Sequence, residues 1–319
     1  MIQWKDDLTP VEWDTLLCEL GGHPLQSALW GQAKKTIYGI SDRKLALYFH
    51  DQLAALIRIE NRGIPLLSQI AWVPQGPTLA AHLSWKDIEK PVLDYTKKTG
   101  YVLSAMTPWV RTDESNLLEK INRKTIWIDL QLGKETLWSS LDKQWRYGVR
   151  SAQRACVEAS IANTKKEIAD FYQLCIALSN KKAFHFSLSE SFLQYLLDHG
   201  NACGVDAKLF LAKYEGKIAA GAFILRAGKN IHYLCGAVDR QYAKQRAGEF
   251  VQWSVIEWAC ELGYARYDLE GIDVNENSSV AAFKRKMGGE VITLPSMQIN
   301  NLNLRGKLLS TIMRKRMQT

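Results

Sequence analysis

The sequence predicts an α/β protein built from two tandem modules, each a mixed β-sheet backed by helices. Three observations carry that prediction: a hairpin that occurs twice, a helix that ends in Gly-Tyr twice, and a nearly constant offset between the copies. The stretch "LALYFHDQLAALIRIEN" alternates apolar and polar residues on both sides of a turn at His50-Asp51-Gln52, as two paired strands do. "LFLAKYEGKIAAGAFILR" repeats the pattern about Glu215-Gly216-Lys217, and Leu53-Ala54-Ala55 is answered 165 positions later by Ile218-Ala219-Ala220.

Each hairpin is followed by an apolar strand that runs to a glycine, "IAWVPQGP" in the first half and "IHYLCGAV" in the second. Then come "WKDIEKPVLDYTKKTGYVLSAM" and "EFVQWSVIEWACELGYARYDLEG", each a helix, a Gly-Tyr stop and a strand, with Gly100-Tyr101 and Gly263-Tyr264 lying 163 positions apart. In the second of these helices Val251, Val255, Trp258, Ala259 and Leu262 fall on one apolar face at helical spacing. The strand Thr125 to Leu130 opens the second module, and a helix follows from around Lys134. The module boundaries are therefore placed at 1–125 plus 296–319 for the first and 126–295 for the second. The basic amphipathic stretch "NLNLRGKLLSTIMRKRMQT" is assigned to the first.

A length of 319 residues suits two domains better than one core, and 47% apolar with 23% charged residues is ordinary for a folded protein. The net charge of +8 is consistent with a polyanionic partner without choosing one. Acidic residues in the opening "MIQWKDDLTP" argue against a signal peptide. The uncharged run from Gly63 to Trp85 is broken by Pro65, Pro74 and Pro77, which favours strand and loop over a membrane helix. The six cysteines are far apart with no C-x-x-C pair, and the six histidines have no metal-ligand spacing. Disulfide and metal readings both fail, and buried free thiols in a reducing cytoplasm are expected.

Hairpin, strand, helix, strand is the core order of the acetyltransferase-like (GNAT-like) fold. Members that use coenzyme A cradle its pyrophosphate at a helix start with a Q/R-x-x-G-x-G/A loop, where small residues let the backbone approach the phosphates. Here "QRAGEF" keeps Gly248 but ends in Phe250, whose ring is expected to obstruct that approach, and the first module has no such loop.

Seven stretches, "LQSALWGQAKK", "AWVPQGP", "TIWIDL", "KQWRYGVRSAQR", "HYLCGA", "LGYARYDLEGID" and "AAFKRKMGGE", follow one another along nearly the whole chain. In that order and spacing they resemble the Fem peptidoglycan aminoacyltransferases, which are built from two such modules. The resemblance implies transfer of an amino acid from aminoacyl-tRNA, as co-substrate and with no other cofactor, to an amino group of a nucleotide- or lipid-linked peptidoglycan precursor. It further implies a cytoplasmic protein with possible peripheral contact to the inner face of the membrane.

The resemblance also assigns residues. Phe283 and Lys284 match a Phe-Lys pair in the channel where ester and amine meet, and the lysine ammonium there is suited to stabilise the charge that develops on the carbonyl oxygen. Read alone, the run Lys284-Arg285-Lys286 before Gly288-Gly289 is a solvated helix end whose cations complement the dipole, and Arg285 and Lys286 keep that reading. Lys34, one turn after Trp30, matches a lysine on the precursor's diphosphate; by itself it is a surface lysine on an amphipathic helix. Tyr233 matches an aromatic lining the acceptor groove, where a strand tyrosine is otherwise core. Where relatives carry an Arg-Asp-Gly-Phe-like phosphate-binding stretch this chain has Lys181 to Phe184, and Lys181 meets phosphate only as a point charge. Arg146, Arg150 and Arg154 recur at four-residue spacing, a stripe suited to tRNA phosphates or simply to solvent. Two other readings stand beside this one: an acyl-CoA-dependent N-acyltransferase on the same fold, and a non-catalytic binder of tRNA or anionic lipid.

Overall fold

The computed structural model describes residues 1–64, 68–109, 123–182, 185–272 and 278–318. The last two residues of the Lys181–Phe184 stretch and Asp273 lie outside them. The chain divides into two compact units, Met1–Arg123 with Thr293–Thr319, and Lys124–Ile292.

The first unit holds β1 (Ile2–Lys5), α1 (Pro10–Glu19), α2 (Ala28–Tyr38), β2 (Asp42–Phe49), β3 (Gln52–Ile64), β4 (Ser68–Val73), β5 (Thr78–Leu79), α3 (Trp85–Lys98) and β6 (Leu103–Met106). In the second unit β7 (Arg123–Asp129), α4 (Gly133–Ser140), α5 (Lys143–Arg154), β8 (Glu158–Ile161), α6 (Lys165–Lys182) and α7 (Glu190–Asp198) precede β9 (Val205–Tyr214) and β10 (Lys217–Ala227). There follow β11 (Asn230–Val238), α8 (Ala247–Glu261), β12 (Arg266–Asp268), α9 (Ser279–Arg285) and β13 (Glu290–Leu294). Finally β14 (Gln298–Asn301) and α10 (Leu304–Gln318) return to the first unit.

Strand order in the first sheet is β1-β2-β3-β4-β6-β14, with β5 against β3. In the second it is β13-β7-β12-β11-β10-β9-β8. The repeat is visible in the pairing. β2-β3-β4-β6 and β9-β10-β11-β12 share the same sequence of antiparallel, antiparallel and parallel neighbours. The hairpin turns form where the backbone must turn left-handed: His50 and Asp51 have φ of 46° and 64°, and Glu215 and Gly216 have 50° and 73°. The duplicated α/β architecture read from the sequence is the one observed.

Each parallel pair needs a crossover, supplied by α3 in the first unit and α8 in the second. α3 starts on a Ser84/Asp87 capping box and stops before Gly100, at φ 89°; α8 stops before Gly263, at φ 69°. Their apolar faces fill the cores: Ile88 and Val92 pack with Leu45, Ile57 and Ile59, and Val251, Val255 and Ala259 pack with Ala220, Ala222 and Ile224. Each fully buried Val or Ile side chain contributes about 1.5–3 kcal/mol. Leu262 departs from the face read in the sequence, because the helix ends before it. It is the C-cap residue and is 59% exposed.

The cysteine expectation is corrected in part. Cys175 is buried, but Cys156 is exposed in the turn after α5 and the other four are half-buried. Cys156 sits at φ 57°, following the C-cap of α5, and that turn faces outward. Among the described residues no helix is long and apolar enough to cross a membrane.

Candidate functional site

β11 pairs with β12 only from Asn230 to His232, opposite Arg266 to Asp268, and then continues alone on that side to Val238. Where the two strands part, a cavity of about 290 Å³ opens in the second unit, lined among others by Lys182, Tyr233, Arg240, Gln252, Phe283 and Lys284. A glycine is required at 236. A Cβ there would lie 2.1 Å from Tyr233 Oη, so its absence lets the phenol fold back along β11. Burial raises the Tyr233 pKa, which keeps the phenol a neutral hydroxyl at ordinary pH.

The basic run of α9 splits. Ser278 caps the helix by accepting from Ala281 N, and Gly288 and Gly289 end the segment at φ of 79° and 89°. Arg285 and Lys286 are exposed, as a helix end predicts, but Lys284 is only 7% exposed. Its Nζ donates to Gly271 O at 2.9 Å and to Glu270 O at 3.3 Å, and lies 5.7 Å from the centre of the Tyr233 ring. Burial lowers its pKa, with Glu270 and Asp268 pulling the other way. The solvated reading therefore fails for Lys284 and holds for its two neighbours.

The carbonyls that hold Lys284 are themselves fixed. Glu270 is a non-glycine residue at φ 60°, and its N–H donates to Asp268 Oδ1 at 2.7 Å. Asp268 is fully buried and also accepts from Thr125 Oγ1 and, at 2.7 Å, from Trp127 Nε1. His232 Nδ1 lies 3.0 Å from Glu270 Oε1. Side chains from β7, β11 and β12 thus set the turn that presents two backbone oxygens to one ammonium.

A second cavity of about 310 Å³ adjoins the first and shares Ser279 and Phe283 with it. Its other walls include Gln144, Trp145, Arg246, Glu249 and Lys286. Phe283 packs on Trp145 with ring centres 5.7 Å apart, so one aromatic side chain borders both cavities. Arg246, at φ 57°, begins α8, and its Nη2 lies 3.1 Å from Glu249 Oε1. A Cβ at Gly148 would come within 3.1 Å of the Glu249 carboxyl carbon, so α5 crosses α8 close to this side chain. Burial raises the Glu249 pKa, opposed by its own backbone N–H and then by Arg246.

The expectation for Phe250 is corrected by this geometry. Since α8 begins at Ala247, Phe250 is already a turn into the helix, and it packs on the core instead of obstructing the helix start. The group that occupies the anion-accepting first turn is the carboxylate of Glu249.

Of the residues singled out in the sequence, Tyr233, Phe283 and Lys284 come together at one cavity. Lys181 does not; it is exposed at the end of α6, and its neighbour Lys182 lines the cavity instead, one turn beyond Leu178 on the same stripe. The arginines of α5 line neither cavity; this helix meets the second one with Gln144 and Trp145. Arg146 Nη1 donates to Ser139 O at 2.6 Å, closing the end of α4, while Arg150 lies 5.4 Å from the Trp138 ring and Arg154 5.6 Å from Tyr147. In the first unit Trp30 is buried, and Lys34 Nζ stands 5.4 Å from its ring and 4.8 Å from that of Tyr38. Burial lowers the Lys34 pKa against the attraction of Glu60, which Arg58 and Arg62 hold ionised. Sequence reading missed Arg240, Gln252 and Glu249, which have no spacing signal; only the crossing of α8, α9 and β11 collects them.

The acetyltransferase (GNAT) domain family matches residues 139–285, within the second unit. No curated protein sequence matches the chain. Among solved structures the chain is similar to FemX, with a TM-score of 0.80 at 17% identity, covering 97% of this chain and 99% of that one. It is also similar to the C-terminal domain of a protein described as a lysylphosphatidylglycerol synthetase from Agrobacterium fabrum, with a TM-score of 0.57 at 14% identity and coverage of 94% and 95%. A third likeness is to a tandem GNAT protein from the clavulanic acid biosynthesis pathway, with a TM-score of 0.53 at 11% identity and coverage of 95% and 99%. The chain thus has the tandem GNAT-like fold of these proteins.

Proposed function

We propose that this chain is a Fem-type aminoacyltransferase that moves an amino acid from aminoacyl-tRNA to an amino group on the stem peptide of a peptidoglycan precursor. The observation that carries the reading is Lys284, a buried ammonium held by two carbonyls beside Tyr233 and Phe283 in an open cavity. The acceptor's amine attacks the ester carbonyl, forming the C–N bond. Electron density moves onto the carbonyl oxygen, and the Lys284 ammonium stabilises it. The C–O ester bond then breaks, and the ribose hydroxyl leaves with the proton the amine gives up. No covalent enzyme intermediate is needed, because the acyl group arrives activated.

Lys34, beside Trp30, is assigned to the diphosphate of the precursor, whether nucleotide- or lipid-linked, and the exposed Arg150 and Arg154 to tRNA phosphates. The co-substrate is the aminoacyl-tRNA with no further cofactor, and the setting is the cytoplasm. A second reading, acyl-CoA-dependent N-acylation, is favoured by the family match over residues 139–285. Against it stands Glu249, whose carboxylate occupies the first turn of α8, where a pyrophosphate would have to approach.

The test is direct. The protein is incubated with a mixed pool of charged tRNAs and each precursor, and the products are read by mass spectrometry. A mass shift of one aminoacyl residue on a precursor supports the proposal, and thiol release from acyl-CoA without such a shift replaces it with the second reading.

A further inference from the structure

One face of α10 points away from the first sheet and carries exposed leucines beside cations. Between Leu304 and Gln318 the sequence has five cations, Arg305, Lys307, Arg314, Lys315 and Arg316, and no Asp or Glu. Leu304 and Leu308 stand one turn apart, 87% and 67% exposed. Arg305, Lys307 and Thr311 around them are exposed as well. The opposite side is anchored: Gly306 and Ser310 are buried, Leu309 packs on Val102 and Leu103, and Leu302 is buried just before the helix. A Cβ at Gly306 would fall 1.9 Å from Val102 O, so the helix lies directly on the chain entering β6. Its orientation is therefore set by packing, and the two leucines are turned outward by that packing.

We propose that this face of α10 docks on an anionic lipid bilayer, with Leu304 and Leu308 entering the interface and Arg305 and Lys307 against the headgroups. Cationic side chains near an anionic surface gain roughly 1 kcal/mol each, and leucines on the same face add the apolar contact that holds a helix in the interface plane. A nucleic acid would engage the cations too, but its phosphate backbone offers exposed leucines nothing. The inference rests on α10 alone and stands apart from the reaction assigned to the second unit.

The test is flotation of the full chain with vesicles of phosphatidylcholine alone and of phosphatidylcholine with phosphatidylglycerol. Binding is expected only to the anionic vesicles and should fall as salt is raised. The pair Leu304→Ser with Leu308→Ser should weaken it by about tenfold or more, and Arg305→Glu with Lys307→Glu by about tenfold or more. Both pairs are surface changes, and unaltered thermal unfolding confirms that the fold is kept. Absence of flotation by the unaltered chain at low salt overturns the proposal. So does flotation that is indifferent to the leucine pair and is displaced by tRNA, which marks a polyanion surface instead. Transfer to a soluble acceptor should be unchanged by the leucine pair, so loss of membrane binding and loss of the aminoacyltransferase reading are told apart.

Discussion

Lys284 and Lys286 stand in one basic run, yet packing gives them different chemistry. Lys284 is held by Glu270 O and Gly271 O inside the cavity, whereas Lys286 is exposed and donates to Gln144 Oε1 at 2.8 Å. Lys284→Met, which keeps the stem and removes the charge, should slow single-turnover transfer roughly 100- to 1000-fold. Lys286→Met should change the rate little. Equal effects at matched folding would remove Lys284 from the chemistry. Because burial lowers the Lys284 pKa, the ammonium is lost at lower pH than an ordinary lysine near 10.5. A rate that needs the ammonium should therefore fall on the alkaline side before 10.5, and Lys284→Met should abolish that limb of the profile. Glu249 supplies a second residue-scale test. Glu249→Ala vacates the first turn of α8, so pyrophosphate binding measured by calorimetry should appear in the variant and be weak in the parent. No gain in the variant would mean that Glu249 is not what closes the helix start.

The start of α6 shows the same physics in one element. Glu167 accepts from Asn163 N at 2.9 Å, from Thr164 N at 3.1 Å, and from Lys213 Nζ on β9 at 2.6 Å. The Lys213 bond first, then the backbone donors, lower its pKa to about 2. A carboxylate depressed in the folded state contributes stability above its unfolded pKa near 4.5, and that contribution is lost as pH falls through about 2. Glu167→Gln should cost about 1 kcal/mol at pH 7, discounted for its contact with solvent, and the gap between variant and parent should close between those two values. Denaturant titrations at a series of pH values measure it; a gap independent of pH would assign the effect to packing. On α5, Arg150 and Arg154 are exposed while Arg146 closes α4. Reversing Arg150 and Arg154 should flatten the salt dependence of tRNA binding by about 0.9 per lost contact, on the scale of duplex DNA. An unchanged slope would leave these arginines to solvent.

At the scale of the whole molecule, the first unit is closed by the far end of the chain. β14 pairs antiparallel with β6, from Gln298 opposite Met106 to Asn301 opposite Leu103, and Leu302 enters the core beside Tyr101 and Met106. Removing residues 295–319, which spares β13, would leave β6 without β14 as an edge of four apolar or small residues. The truncated chain should aggregate or lose the unfolding transition of its first unit. The second unit should keep its own, which hydrogen exchange resolved by peptide would show. Equal protection of β2–β4 with and without the segment would mean that the first sheet is complete without β14.

The two modules were legible in the sequence because their evidence is local and repeated. Alternation around His50-Asp51 and Glu215-Gly216 and the Gly-Tyr stops at 100 and 263 are short-range features, set by backbone sterics and by which face of a strand or helix is apolar. They recur in both halves, and both sheets follow them. Phe283, Lys284 and Tyr233 were found because they lie in recognisable stretches. Burial could not be read the same way. Nothing within "AAFKRKMGGEV" separates Lys284 from Lys286; the carbonyls of Glu270 and Gly271, fixed through Asp268 by Thr125 and Trp127, do so from distant parts of the chain. The same holds for Lys182 in place of Lys181 and for Glu249 in place of Phe250, where a rotation of one helical position decides which side chain meets the cavity. Local periodicity determines elements and their faces, while the environment of a charge depends on which elements pack against it, and only the tertiary structure decides that.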